Sequence, residues 1–137
     1  AKPYQDAGLT FGYHNHDFEF VKYDGRYAMD ILLEAASAVN IEADVAWIVR
    51  GKADPAEWLK ANGDRIVAIH VKDIAPEGEN VDEDGWADAG HGTVPWKTLW
   101  PIARATSARY FIAEHDNPSD IDRFASRSIA FIKSLGA

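Results

Sequence analysis

The sequence predicts an α/β fold in which four parallel strands are each followed by a helix. Three observations support this. Four short runs rich in apolar and β-branched residues alternate with segments of helical periodicity. One of them, Ile66 to Val71, is apolar up to His70 and has the length of a strand buried on both faces, as a parallel sheet under helices requires. All four runs end in His, Asp or Glu, so right-handed crossovers would bring these ends to one rim, in an open sheet or in part of a barrel.

Residues 1–8 read as a helix end or linker closed by a C-cap glycine. The first strand, 9–16, points Phe11 and Tyr13 to one face and Gly12, His14 and His16 to the other. His14-Asn15-His16 reads equally as a polar strand end held by capping hydrogen bonds. After a turn at Asp24-Gly25, a crossover helix over 27–39 packs Ile31, Leu32, Ala35, Ala36 and Val39. The second strand, 40–46, sets Glu42 and Asp44 on one face, with Asp44 nearer the C-terminal end, where an isolated Asp commonly caps a loop. A loop to Gly51 leads to helix 54–63, with Asp54 as N-cap, Pro55 at N1 and Glu57 at N3, and with Trp58 and Leu59 on its packing side.

The third strand, 66–73, places His70 and Lys72 on one face. Residues 74–93 form a long acidic segment with four glycines; a loop of this length is usually functional or disordered, and Trp86 with the GHGTVPW end reads as ordered, which favours a lid. Its run Asp82-Glu83-Asp84 lacks the ligand spacing and closing Glu of an EF-hand loop and reads as a solvated face. Gly90-His91-Gly92 is a short form of a glycine-rich anion turn. Helix 95–108 should kink or restart at Pro101, with Trp96 and Trp100 packing. The fourth strand, 110–116, turns Glu114 and Asp116 inward. The closing helix, 119–135, carries Ile121, Phe124, Ala125, Ser128, Ile129, Ile132 and Leu135 on one stripe.

With 137 residues and 47% hydrophobic content the chain can bury one core, so a single domain is expected. A net charge of -8 with scattered basic residues argues against nucleic-acid or acidic-membrane partners. There is no cysteine, hence no disulfide or thiolate metal site, which points weakly to a cytoplasmic location. No apolar run is long enough for a membrane span or a signal-peptide core. The sequence begins at Ala1 rather than Met, as trimming, processing or a longer parent chain would produce.

His14, Asp44, His70 and Glu114 are the residues that four parallel strands would bring together, one from each. Two imidazoles and two carboxylates suit Mn, Zn, Co or Fe, with Mg possible, better than Ca. Burying four such groups with neither a cation nor a hydrogen-bond network would be costly.

Five stretches carry a resemblance: GLTFGYHNHDFEF (Gly8 to Phe20), the Asp44-x-x-Trp47 strand end with the Gly51 to Pro55 loop, AIHVKD (Ala68 to Asp73), GHGTVPW (Gly90 to Trp96) and IAEHDNP (Ile112 to Pro118). In this order they resemble the sugar phosphate isomerase/epimerases of the xylose isomerase-like TIM barrel superfamily. The resemblance covers nearly the whole chain and corresponds to strands five to eight, so it implies a (βα)4 half-barrel domain over 1–137 with outer helices; the strand edges such a half leaves open point to completion by dimerisation. It also implies metal ligands at His14, Asp44, His70 and Glu114. The epimerase members carry a Glu at the first of these positions. His14 stands there in this chain, which brings it nearer the inositol-ketone dehydratase-like and keto-sugar branches.

The function expected from this resemblance is a metal-dependent sugar or keto-sugar isomerase/epimerase acting by proton transfer next to a carbonyl. Glu114 would be the base, and His14 or His16 would return the proton. Lys72 would hold a substrate oxyanion or phosphate, or else pair with Asp116 or Asp73. Trp47 would stack on the sugar, and Asp116 would line its site. The expected partners are a sugar or sugar phosphate and a second copy of the chain, paired through the open edges of the first and fourth strands. The competing readings are a dehydratase-like lyase, an abasic-site endonuclease disfavoured by the charge, and a catalytically silent half-barrel that keeps the metal site.

Overall fold

The structure is a computed structural model describing residues 1–136. Helix α1 (Lys2–Asp6) precedes β1 (Gly12–His14), and a 3-10 turn (Phe18–Phe20) leads into the hairpin β2 (Lys22–Tyr23) and β3 (Arg26–Tyr27). Then follow α2 (Ala28–Ala35), β4 (Asn40–Asp44), α3 (Val45–Arg50), α4 (Pro55–Asn62) and β5 (Ile66–Val71). A second hairpin pairs β6 (Asp73–Ile74) with β7 (Trp86–Ala87), before α5 (Trp96–Arg104), β8 (Tyr110–Ala113) and α6 (Ile121–Ser134). Strands β1, β4, β5 and β8 form one parallel sheet in that order, with Tyr13 opposite Ile41, Asp44 opposite His70, and His70 opposite Ile112.

The two-residue period of the strands sorts their side chains. Ile41, Ala43, Ile69 and Val71 are fully buried in a core that includes Trp58, Leu59, Leu99, Trp100 and Ala103 from α4 and α5. Each large aliphatic buried there contributes about 1.5–3 kcal/mol. Gly12, His14, Glu42, Asp44, Ala68, His70, Tyr110 and Ile112 take the alternate positions, on the other face of the sheet. Tyr110 is 65% exposed and Ile112 38%.

Several elements differ from the sequence expectation. Helix α2 stops at Ala35 rather than 39, and Arg65 donates to the carbonyls of Leu33 (2.8 Å), Ala36 (2.8 Å) and Val39 (3.2 Å), fastening the chain as it leaves the helix. Its buried side chains are Met29 and Leu33, whereas Ile31 is exposed. The expected loop to Gly51 contains α3, capped by Asp44, whose Oδ1 accepts from the Trp47 amide at 2.9 Å. Helix α5 passes through Pro101 unbroken, with Pro101 at the exposed surface. On α6 only Ser128 and Ile132 are buried, while Ile121 and Ile129 are exposed.

The acidic segment is folded down rather than left as a free flap. The hairpin β6–β7 buries Trp86, and Glu83 is buried rather than solvated. The glycine-rich turn does hold an anion, which is the chain's own Asp73. Its carboxylate accepts from the amides of Gly90, Val94 and Ile74, each at 2.9 Å. A Cβ on Gly92 would lie 2.3 Å from Asp73 Oδ1, so only glycine fits this approach. Burial raises the pKa of Asp73, against the opposing pull of these amides.

Candidate functional site

The site lies where β1, β4 and β5 end. His14, Asp44 and His70 each offer a ligand atom, and these atoms lie within 4.8 Å of one another. Asn15 sets two of the strands, because its Oδ1 accepts from the Asp44 amide at 2.9 Å and its Nδ2 donates to the Asp44 carbonyl at 3.1 Å. Beyond it, buried Glu19 accepts from the His16 amide (2.8 Å) and from the Tyr13 hydroxyl (2.5 Å), which bends the chain back over the strand end. That hydrogen bond, followed by burial, pushes the Tyr13 pKa up to about 12.

The functional atoms of Asp44 divide their work. Oδ1 caps α3, while Oδ2 is buried without a hydrogen bond and faces His70 Nδ1 at 3.5 Å. His70 Nε2 lies 3.0 Å from Glu42 Oε1, an arrangement that orients a ligating imidazole. Burial alone would lower the His70 pKa, but the Asp44 and Glu42 carboxylates outweigh it and raise it. His14 is lowered, first by burial and then by the neighbouring His70.

Lys72 and its partners adjoin this group. The side chain is fully buried, with Nζ 2.9 Å from Glu114 Oε2, in contact with Asp116, and 4.0 Å from Asp44 Oδ2. Its ammonium also lies 3.8 Å from the centre of the Trp86 ring and 4.9 Å from that of Trp47, where the ring faces favour a cation. Trp96 Nε1 donates to the Lys72 carbonyl at 2.9 Å and fixes the strand end. The structure therefore gathers His14, Asp44 and His70 into one cluster and holds Glu114 and Asp116 on Lys72 beside it. His16 packs against His14, Trp47 and Phe18, with ring centres 4.7, 5.3 and 5.5 Å away.

A cation fits this arrangement. Buried polar atoms that lack a hydrogen-bond partner include His14 Nδ1, Asp44 Oδ2 and His70 Nδ1, one from each of the three strand ends that form the cluster. Native proteins leave few such atoms unsatisfied. Two imidazole nitrogens with carboxylate oxygens are also the donor set of a transition-type divalent ion.

The chain is similar in shape to several solved structures. A sugar phosphate isomerase/epimerase from Parabacteroides distasonis shares 23% identity at a TM-score of 0.72, over 94% of this chain and 46% of its own. The probable 3-DHS dehydratase involved in petrobactin synthesis in Bacillus anthracis gives 14% identity and 0.71, over 96% and 52%. The 3-keto-D-glucoside 4-epimerase of E. coli gives 17% and 0.66, over 97% and 49%. The fold is half of a xylose isomerase-like barrel. The half-barrel spans about half the length of the solved structures it matches. No protein-family model matches the sequence, and no curated protein does. Among the described residues no helix is long and apolar enough to cross a membrane.

Sequence reasoning overlooked two supports of the half-barrel site. Glu42 was visible on the face of Asp44, two residues before it, but nothing local said that it would meet His70. Trp86 was visible only as an ordered residue of a loop, because its place over Lys72 depends on how the hairpin folds back.

Proposed function

We propose that this half-barrel carries the metal-binding rim of a sugar or keto-sugar isomerase/epimerase acting by proton transfer next to a carbonyl. The observation that supports this reading is the set of three buried atoms without hydrogen-bond partners on His14, Asp44 and His70, on a fold shared with isomerases, epimerases and a dehydratase. His14, Asp44 and His70 would hold a divalent ion of the Mn, Zn, Co, Fe or Mg kind, while Glu114, expected as a fourth ligand, is held on Lys72 beside them. When bound, such an ion polarises a carbonyl and stabilises the negative charge that develops as the adjacent C–H ionises. Glu114 takes that proton, held in place by Lys72. His14 or His16 returns a proton on the other side, and Trp47 bounds the sugar pocket. Asp116 keeps the Lys72 ammonium paired beside the reacting groups. A dehydratase-like lyase would start with the same proton removal and then lose a β-hydroxyl, and the similarity to the dehydratase favours it as the second reading.

Glu114→Gln tests the assignment of the base. With D-fructose as substrate in D₂O, the variant is expected to lose solvent deuterium exchange at the α-carbon, by roughly 100-fold or more, the scale of a positioned acid/base. Its circular dichroism should be unchanged. Exchange persisting at the wild-type rate would remove Glu114 from this role.

The partner we assign to the inner face is a second copy of the chain. Strands β1 and β8 are the sheet's edges, and exposed Tyr110 and Ile112 lie on the face that a complete barrel encloses. A two-fold related copy pairing its β1 with β8 would close eight strands. Sedimentation velocity across a dilution series should show a dimer that Ile112→Lys dissociates, and a well-folded monomer at micromolar concentration would contradict closure.

A further inference from the structure

The carboxylates and rings around the site limit what kind of sugar it can take. In eight-stranded barrels phosphate commonly sits on the loops after the last two strands, and the sequence resemblance equates these with the loops after β5 and β8. In this chain amides of both loops are already engaged by the chain's own carboxylates. The glycine-rich turn after β5 directs its Gly90 and Val94 amides at the Asp73 carboxylate, at 2.9 Å each. The start of α6, after β8, is capped by Asp120, whose Oδ1 accepts from the Arg123 amide at 2.8 Å. The Ser119 amide just before it goes to Glu83 at 3.0 Å.

The cations in contact with the site's rings are taken as well. Lys72 is fully buried between Glu114 and Asp116. Arg50 lies 3.2 Å from the centre of the Trp86 ring and donates to the Asp84 carbonyl at 2.7 Å. At Lys72 a phosphate dianion would have to displace Glu114 or Asp116, and that would leave a carboxylate without its partner in a site that already carries Glu42 and Asp44.

Beside the metal group lies a row of aromatic rings. Phe18 is 61% exposed and lies nearly parallel to His16, with ring centres 5.5 Å apart and an angle of 9° between them. His16 in turn touches His14 of the metal group and Trp47. A ligand reaching the metal group would meet these ring faces, which suit the C–H face of a sugar ring better than a dianion. We infer that the site takes an uncharged sugar, laid against His16, Phe18 and Trp47, and discriminates against sugar phosphates. This rests on reading the rim as a metal-assisted sugar site.

The test compares D-fructose with D-fructose 6-phosphate by calorimetry on zinc-loaded protein, and titrates metal-free protein with inorganic phosphate followed by ³¹P NMR. The expected results are at least tenfold tighter binding of the uncharged sugar, no phosphate line broadening, and about tenfold weaker fructose binding by Phe18→Ala. A phosphate ester that binds more tightly, inorganic phosphate bound by the metal-free protein, or a Phe18→Ala variant with unchanged fructose affinity would overturn the inference. If fructose binds preferentially but equally well without zinc, the inference stands and the metal-assisted reading fails. If the ester binds better and only with zinc, the inference fails and that reading stands. Binding of neither sugar would overturn both.

Discussion

Replacing His70 by alanine is expected to abolish uptake of a divalent transition metal, a loss of roughly 100-fold or more in affinity, at or beyond the upper end of what losing an outer-shell partner costs. The expectation follows from the position of the ring between two carboxylates. Its Nε2 is tied to Glu42 at 3.0 Å, so Nδ1 is the atom turned toward Asp44 Oδ2. Removing the ring deletes one donor of the three and also releases the Glu42 carboxylate that oriented it. What remains, His14 and Asp44, is too few donors to hold an ion against water. Calorimetry with Zn²⁺ or Mn²⁺ on protein prepared without added metal should show one equivalent bound by the wild type and none by the variant. Unchanged affinity in a folded His70→Ala protein would rule this cluster out as the metal site.

That His70 could be singled out at all reflects what is local in a sequence and what is not. The alternation of buried strand and amphipathic helix depends on neighbours a few residues apart, so the order of the four sheet strands was legible. His14, Asp44 and His70 were legible too, because parallel strands of similar length put their last inward residues on one rim. The partition among the four candidates was not legible. Whether Glu114 turns to the metal group or to Lys72 depends on a buried ammonium reaching across from another strand, and no local periodicity encodes that. Helix α3 is not legible for a related reason: its six residues are too few for a periodic signal, and its cap, Asp44, reads equally as the cap of a loop. The glycine-rich turn was recognised as an anion cradle, but its anion lay seventeen residues upstream of Gly90, at Asp73.

Glu83 is the case where local reading failed most, and its removal should have the largest effect on stability. Flanked by Asp82 and Asp84 it looked solvated, yet its carboxylate is the hub joining the acidic segment to the loop that carries Glu114 and Asp116. It accepts from the Ser119 hydroxyl and amide and from Arg123 Nη2 at 2.9 and 3.0 Å, and it lies 3.3 Å from His115 Nε2. The Ser119 hydroxyl is the largest influence on its pKa. Burial opposes, and with the Ser119 amide and Arg123 added the pKa falls from 4.5 to about 2. A carboxylate whose folded-state pKa is depressed stabilises the fold above its unfolded-state pKa and loses that contribution as pH falls through the folded value. At about 1.4 kcal/mol per unit the shift corresponds to roughly 3 kcal/mol, present above pH 4.5 and lost progressively toward pH 2. Glu83→Gln keeps the side chain's size and removes its charge. It should lower the urea-unfolding free energy at pH 7 by about this amount. Near pH 2 it should cost little, so the steep acid limb of the wild-type profile flattens in the variant. A variant that follows the wild-type pH profile with a constant offset would show that the hub holds by shape and hydrogen bonding alone, and that ionisation of Glu83 does not anchor the Glu114 loop.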